Sequence, residues 1–402
     1  MSTRGRQALE ALLVGSASVG IGQGLLLALA PLTRAASDGV DADGVALLAP
    51  DSRTYLGLAG DEDWLARTPW NRVLLIGLLR LGASLGDAAT FLVIVQTLLL
   101  VVASALAHHM AARVGGRAAG ILGASVVAVN PLTAQWVRFV LSETLFFALV
   151  LIALFAADRI LRGAGGRTAI PLLLGAALLA TFLRPNGILV LGSALTVITI
   201  ASTTRRRHLA LLSVLVWIGV AGGLVLGLEA AGQPAERELA AQLHAGVVVE
   251  GTPDVEVRIA MPSPNDPEDV SNAAALRYVA GAPVAVARLA VSRIVVEMAQ
   301  VRSHYPLPVN VGVGAVMALL AVATIVGARA AAARTLVRAA VILGTPIMLL
   351  VGATFATPEG RYGWGALVLS APLAGIGAAR ILARVSGGRR RRQSADGPGI
   401  AR

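Results

Sequence analysis

Long apolar runs separated by short polar breaks dominate the chain. Runs long enough to cross a bilayer, about 17 to 25 residues each, lie at 8–32, 88–107, 118–134, 140–157, 209–228, 309–328, 339–356 and 364–382. Two shorter runs, 169–183 and 186–202, flank Arg184-Pro185-Asn186-Gly187, where proline and glycine favour a tight turn. The pattern predicts an all-α integral membrane fold of about ten transmembrane helices, one multi-pass domain over 1–402. No internal repeat stands out, and no inverted pair of broken helices of the kind that marks many transporters.

Composition supports this reading. Of 402 residues, 56% are hydrophobic and only 14% charged, far from the usual balance of a soluble domain. The absence of cysteine excludes disulfides, thiolate zinc sites, iron–sulfur clusters and cysteine nucleophiles. All 34 basic residues are arginine, and the net charge is +11. With the N-terminus inside, 20 arginines fall in inner segments, whereas the short outer hairpins hold only Arg138, Arg184 and Arg361. The excess predicts cytoplasmic N- and C-termini in the cell membrane, with 383–402 a basic cytoplasmic tail against anionic lipid. Basicity is therefore a topology signal, and nucleic acid is not an expected partner.

Two hydrophilic segments, 33–87 and 229–308, hold 18 of the 23 acidic residues and are predicted outside. The first apolar stretch exceeds the 7 to 15 residues of a secretory signal core and reads as a retained helix. Its Gly20, Gly22 and Gly24 lack the preceding strand of a nucleotide loop and suit close helix packing.

Ionisable groups at membrane depth are costly and usually functional. The outer-side candidates are Asp51, Arg53 and Tyr55 in Asp51-Ser52-Arg53-Thr54-Tyr55, Glu143 in Ser142-Glu143-Thr144, Arg184 at the short hairpin, and Glu359, Arg361 and Tyr362 before the last span. His304 stands after a stretch, 272–302, that reads as an amphipathic helix on the membrane. Asp61 and Asp63 are alternative carboxylates. Adjacent His108 and His109 point about 100° apart on a helix, a poor metal pair, and read as interfacial. The proline-rich run 252–272 reads as a polar loop.

The order of these motifs carries a resemblance. Asp51 followed by Tyr55, Arg67-Thr68-Pro69-Trp70, the Gly115-Gly116-Arg117 turn, Asn130-Pro131, Ser142-Glu143-Thr144-Leu145, Leu183-Arg184-Pro185 and Glu359-Gly360-Arg361-Tyr362 together resemble the membrane glycosyltransferases of the GT-C fold. The similarity, over roughly 45–382, is to bacterial members related to the protein mannosyltransferases and the aminoarabinose transferase of lipid A. It implies a sugar donor on a polyprenyl phosphate at the outer leaflet and inverting transfer to an envelope glycan, lipid or protein hydroxyl.

By that resemblance Asp51 is the general base. Tyr55, Arg53, Glu143, Arg184, His304, Glu359, Arg361 and Tyr362 line the substrate site. A carboxylate ionised at neutral pH can take the acceptor's proton, while guanidiniums such as Arg184 and Arg361 suit the leaving phosphate. No cofactor is implied, and a divalent ion on the carboxylates is left open. The chain departs from the resembled family in three places: Ser52 follows Asp51 where the mannosyltransferases carry Glu, Gly363-Trp364-Gly365 stands where a proline usually follows the Arg-Tyr pair, and 229–308 is too small for the large soluble domain of some members. The competing expectations are a polytopic transporter or lipid-linked-sugar flippase, and a non-catalytic envelope scaffold.

Overall fold

A computed structural model describes residues 3–28, 39–40, 47–48, 50–130, 135–164, 166–202, 243–249, 257–264, 272–300, 307–354 and 364–395. It is predominantly helical. In chain order the helices are α1 (Thr3–Ala28), α2 (Pro50–Gly60), α3 (Trp64–Arg67), α4 (Val73–Ser84), α5 (Ala88–Ala128), α6 (Glu143–Leu161), α7 (Gly166–Leu183) and α8 (Gly187–Ser202). After them come α9 (Asn272–Gly281), α10 (Pro283–Ala299), α11 (Leu307–Ala328), α12 (Arg334–Thr354) and α13 (Trp364–Ala395). Two short antiparallel pairs complete the described elements: β1 (Gly39–Val40) with β2 (Leu47–Leu48), and β3 (Val247–Val249) with β4 (Val257–Arg258).

Among the described residues, six helices are long and apolar enough to cross a membrane: Gly5–Leu25, Ala88–Ala128, Glu143–Leu161, Leu307–Ala328, Ala331–Leu350 and Leu367–Ser386. The difference from ten has three sources. The run 209–228 lies outside the described residues. The runs 169–183 and 186–202 form α7 and α8, which at 18 and 16 residues are short for a full crossing. The runs 88–107 and 118–134 fall on the single element α5, which is interrupted at Gly116 (φ 78°, ψ −177°). That positive φ suits glycine, and it folds the helix back on itself. A Cβ placed on Gly123 would sit 3.1 Å from the Ala111 Cβ and 3.3 Å from the Ala107 carbonyl oxygen. Those residues would be more than a dozen ångströms apart along a straight helix rising about 1.5 Å per residue.

The centre of the bundle is α6, with Phe146, Phe147, Leu151 and Leu154 buried and α5, α7, α8, α12 and α13 packed around it. α13 runs between α5 and α11 at backbone contact. A side chain on Gly375 would meet Gly123, and one on Gly377 would overlap the Ala323 carbonyl, while Gly327 packs on the Leu373 carbonyl. Small residues let membrane helices approach this closely. In α1, Gly22 makes such an approach against Ala128 and Gly15 another against the Val101 carbonyl, whereas Gly20 and Gly24 face open space.

Two polar clusters sit at opposite ends of α6. At its C-terminal end the fully buried Asp158 carboxylate accepts hydrogen bonds from Arg113 Nη2 (2.8 Å), Arg162 Nε (3.0 Å) and Thr335 Oγ1 (2.8 Å), joining α5, α6 and α12. Nearby in the chain, Arg117 at the α5 turn pairs with Glu10 of α1 at 2.9 Å. His108 is buried, and a Cβ on Gly120 would crowd its ring. His109 meets Phe155 edge-on at 5.8 Å.

The stretch 272–302 also differs from a single amphipathic helix. Pro283 starts a new helix after Gly281, and α9 and α10 diverge by 102°. Inward-facing Ala275, Tyr278 and Leu289 share a small core with Leu243 and Val248, and buried Arg293 donates through Nε to the Val247 carbonyl at 2.9 Å. Val284, Val291 and Val295 form an exposed apolar row on the opposite side of α10.

Candidate functional site

Helix α2 begins with proline, whose fixed φ suits the first helical position, and carries Asp51 in its first turn, where an acid complements the helix dipole. Its inward face is Ser52, Tyr55 and Ala59, at spacings of three and four. Asp51, one turn before Tyr55, is half-buried, whereas Arg53 is exposed on the other side and is not brought to the same face. The buried Ser52 hydroxyl donates to the Val140 carbonyl at 3.1 Å and pins α2 against the segment leading into α6. Ser52 is thus an anchor.

That segment is held from a second direction. Gln96 Nε2, on α5, donates to the Phe139 carbonyl at 2.8 Å, and the Trp136 ring packs 5.3 Å from Phe139. α6 then starts at Glu143. The Arg184-Pro185-Asn186-Gly187 turn brings Gly187 onto the Ala180 backbone and leaves Arg184 at the end of α7. Arg184 Nη1 bonds Glu143 Oε1 at 2.9 Å, and the guanidinium lies 5.9 Å from the Phe146 ring centre. Both partners are buried, Glu143 at 2% exposure and Arg184 at 8%.

Tyr55 links the two halves electrostatically. Burial pushes its phenol above the ordinary value; Arg72 opposes this, Asp51 and Glu143 reinforce it, and Arg184 lowers it. The Arg72 guanidinium sits 5.2 Å from the Tyr55 ring centre, a cation–π contact. Asp51, Tyr55, Arg72, Glu143 and Arg184 therefore share one charged neighbourhood at the N-terminal end of α6. Arg72 had no signal in the sequence beyond standing near Arg67-Thr68-Pro69-Trp70, and Ser52 stood out only as a departure from the resembled motif.

The alternative carboxylate Asp61 is engaged elsewhere, accepting from Arg67 Nη1 at 2.7 Å and from the Asp63 backbone N–H at 3.0 Å. Gly365, at the start of α13, lies against Phe146. Glu359, Arg361 and Tyr362, a few residues earlier in sequence, and His304 lie outside the described residues. Among the described residues no group of three or more His, Asp or Glu is placed to hold a metal ion. An apolar groove of about 380 Å³ between α11, α12 and α13, lined by Val337, Gly344, Met348, Leu369 and Leu373, contains none of the charged groups.

Comparison with known proteins adds no relative to this geometry: no family model, no curated protein and no solved structure matches the chain.

Proposed function

We propose that the chain is a polyprenyl-phosphate-dependent glycosyltransferase of GT-C type, working on the outer side of the cell membrane by inverting transfer to an envelope acceptor. The observation that carries this reading is the convergence of Asp51 and Tyr55 on α2 with Arg72 and the buried Glu143–Arg184 pair at one end of the bundle. In this reading Asp51 accepts the proton of the incoming hydroxyl, and the surrounding guanidiniums offset charge developing on the departing phosphate. Positioning and electrostatic stabilisation supply most of the rate, since a carboxylate is a weak base. Charged residues of the six candidate spans sit towards helix ends or the α5 turn, and α11 carries none, an arrangement that suits surface chemistry better than passage through the membrane.

The test compares envelope glycans and lipid-linked sugars by mass spectrometry in a gene-deletion strain complemented with wild type or Asp51→Asn at equal membrane expression. The proposal expects the variant to lose one glycan modification and to accumulate the matching polyprenyl-phosphate sugar. Full restoration by Asp51→Asn would remove Asp51 as the base and favour transport or scaffolding.

A further inference from the structure

The Glu143 carboxylate is half used. Oε1 accepts from Arg184, but Oε2 is buried and has no hydrogen-bond partner. A buried carboxylate oxygen without a donor is expensive, and it is not an isolated lapse. On the same helix end Thr144 Oγ1, and in the adjoining turn Asn186 Oδ1, are also buried without partners. The Thr144 hydroxyl can donate as well as accept, but Glu143 Oε2 and Asn186 Oδ1 only accept, so the complement of this neighbourhood is a ligand that brings hydrogen-bond donors.

Charge decides which donors. Arg184 at 2.9 Å already offsets the negative charge of Glu143, so a bare metal cation would meet a nearly neutral pair and gain little. An anion such as phosphate would face the unpartnered carboxylate oxygen directly. A neutral hydroxyl meets neither obstacle, and its hydrogen bond to a charged acceptor in a buried setting is of the strong kind.

We propose that Glu143 Oε2, oriented by Arg184, is the acceptor for a sugar hydroxyl of the ligand, and that Arg184 is a positioning residue rather than a phosphate clamp. This rests on the glycosyltransferase reading and refines it: the guanidinium assigned to face phosphate is Arg72, which lies over Tyr55. Sugar recognition of this type discriminates sharply, because an analogue lacking the hydroxyl leaves the buried acceptor unpaired.

The experiment uses the full-length chain in lipid nanodiscs and follows thermal unfolding with three sets of probes: methyl glycosides of common hexoses and pentoses, decyl phosphate, and Mg²⁺ or Mn²⁺ alone. At least one methyl glycoside is expected to raise the unfolding midpoint saturably. Glu143→Gln, which keeps an acceptor for Arg184 but turns the other position into a donor, should weaken that glycoside about tenfold or more and leave the decyl phosphate response unchanged.

Because Glu143→Gln leaves a buried guanidinium unmatched, the double variant Glu143→Gln/Arg184→Gln provides a folded reference with the same expected loss. No glycoside response in wild type, undiminished affinity in both variants, or an Mn²⁺ response abolished by Glu143→Gln would each overturn the proposal. Failure of the transferase reading is separable. Asp51→Asn that restores all glycans, in a chain that still binds the glycoside through Glu143, would leave a sugar site without the reaction.

Discussion

Replacing Asp158 by Asn removes one negative charge from a carboxylate that is fully buried and accepts three hydrogen bonds, two of them from guanidiniums. Hydrogen bonds to charged groups contribute about 1.5–3 kcal/mol each and neutral ones about 1. The Asn side chain retains one acceptor oxygen; even in the place of Oδ2, which takes both arginines, it offers them a neutral acceptor, so both guanidinium bonds weaken and the Thr335 hydroxyl loses Oδ1 as its acceptor. Breaking a wholly buried ion pair costs about 3–5 kcal/mol, but the Arg113 and Arg162 side chains are 27% and 25% exposed and can recover some hydration. The net expectation is about 2–3 kcal/mol of destabilisation, with Thr335→Val costing about 1 kcal/mol.

The measurement is reversible unfolding of the full chain in mixed micelles, followed by tryptophan fluorescence across Asp158→Asn, Arg113→Gln and the double variant. A coupling energy of about 1 kcal/mol or more is expected for residues that share a hydrogen bond. A single-variant loss under about 0.5 kcal/mol, or additive variants, would refute the view that Asp158 clamps α5, α6 and α12. Activity per folded molecule should stay near wild type, since the clamp lies fifteen residues along α6 from Glu143.

Three further outcomes follow from particular contacts. Ser52→Ala should free the Val140 carbonyl, cost about 1 kcal/mol, and speed hydrogen exchange in α2 while leaving α6 unchanged; unaltered exchange in α2 would show that Ser52 does not anchor it. Gly377→Leu should abolish accumulation of folded protein, because its side chain would meet the Ala323 backbone, whereas Gly20→Ala, in open space, should be neutral or slightly stabilising in thermal unfolding. The folded state holds the Tyr55 proton more tightly than the unfolded chain does, so its contribution to stability is complete below the ordinary phenol value of 10.0 and is lost as pH rises through the raised folded value. Tyr55→Phe should accordingly remove a tyrosinate absorbance component that ionises above the ordinary range, and loss of a component at or below it would contradict the buried environment.

Features governed by local chemistry were legible in the sequence. Gly115-Gly116 announced the α5 turn because glycine accepts the positive φ found at Gly116, and the Pro185–Gly187 turn announced the α7–α8 hairpin. Glu143 stood out as an acid opening an apolar run, and Asp51 as an acid beside a tyrosine one helical turn on. Asp158 did not, because Asp158-Arg159 looks like any polar boundary of a span, and its partners Arg113 and Thr335 lie 45 and 177 residues away. Nothing periodic connects such positions. Ser52 was visible only as a mismatch to a resembled motif, since a serine bonded to a carbonyl 88 residues distant has no local signature. The bend between α9 and α10 was hidden for the opposite reason: the apolar spacing of Val284, Val291 and Val295 continues the preceding pattern so smoothly that Pro283 did not register as a break.

The central helix also works as a ruler. Glu143 and Asp158 are fifteen residues apart on α6, which at a rise of about 1.5 Å per residue separates the two charged clusters by about 22 Å. The hydrocarbon layer of a typical bilayer is about 30 Å thick. Along α6 the two charged clusters therefore stand closer together than the hydrocarbon layer is thick, so in a bilayer each would be reached through several ångströms of locally thinned lipid or a solvated funnel. On the proposed function, a lipid-linked substrate would then descend to the Glu143 cluster instead of the protein rising to meet it. Bilayer thickness itself, set by acyl-chain length, becomes a variable that should tune how readily that cluster is occupied.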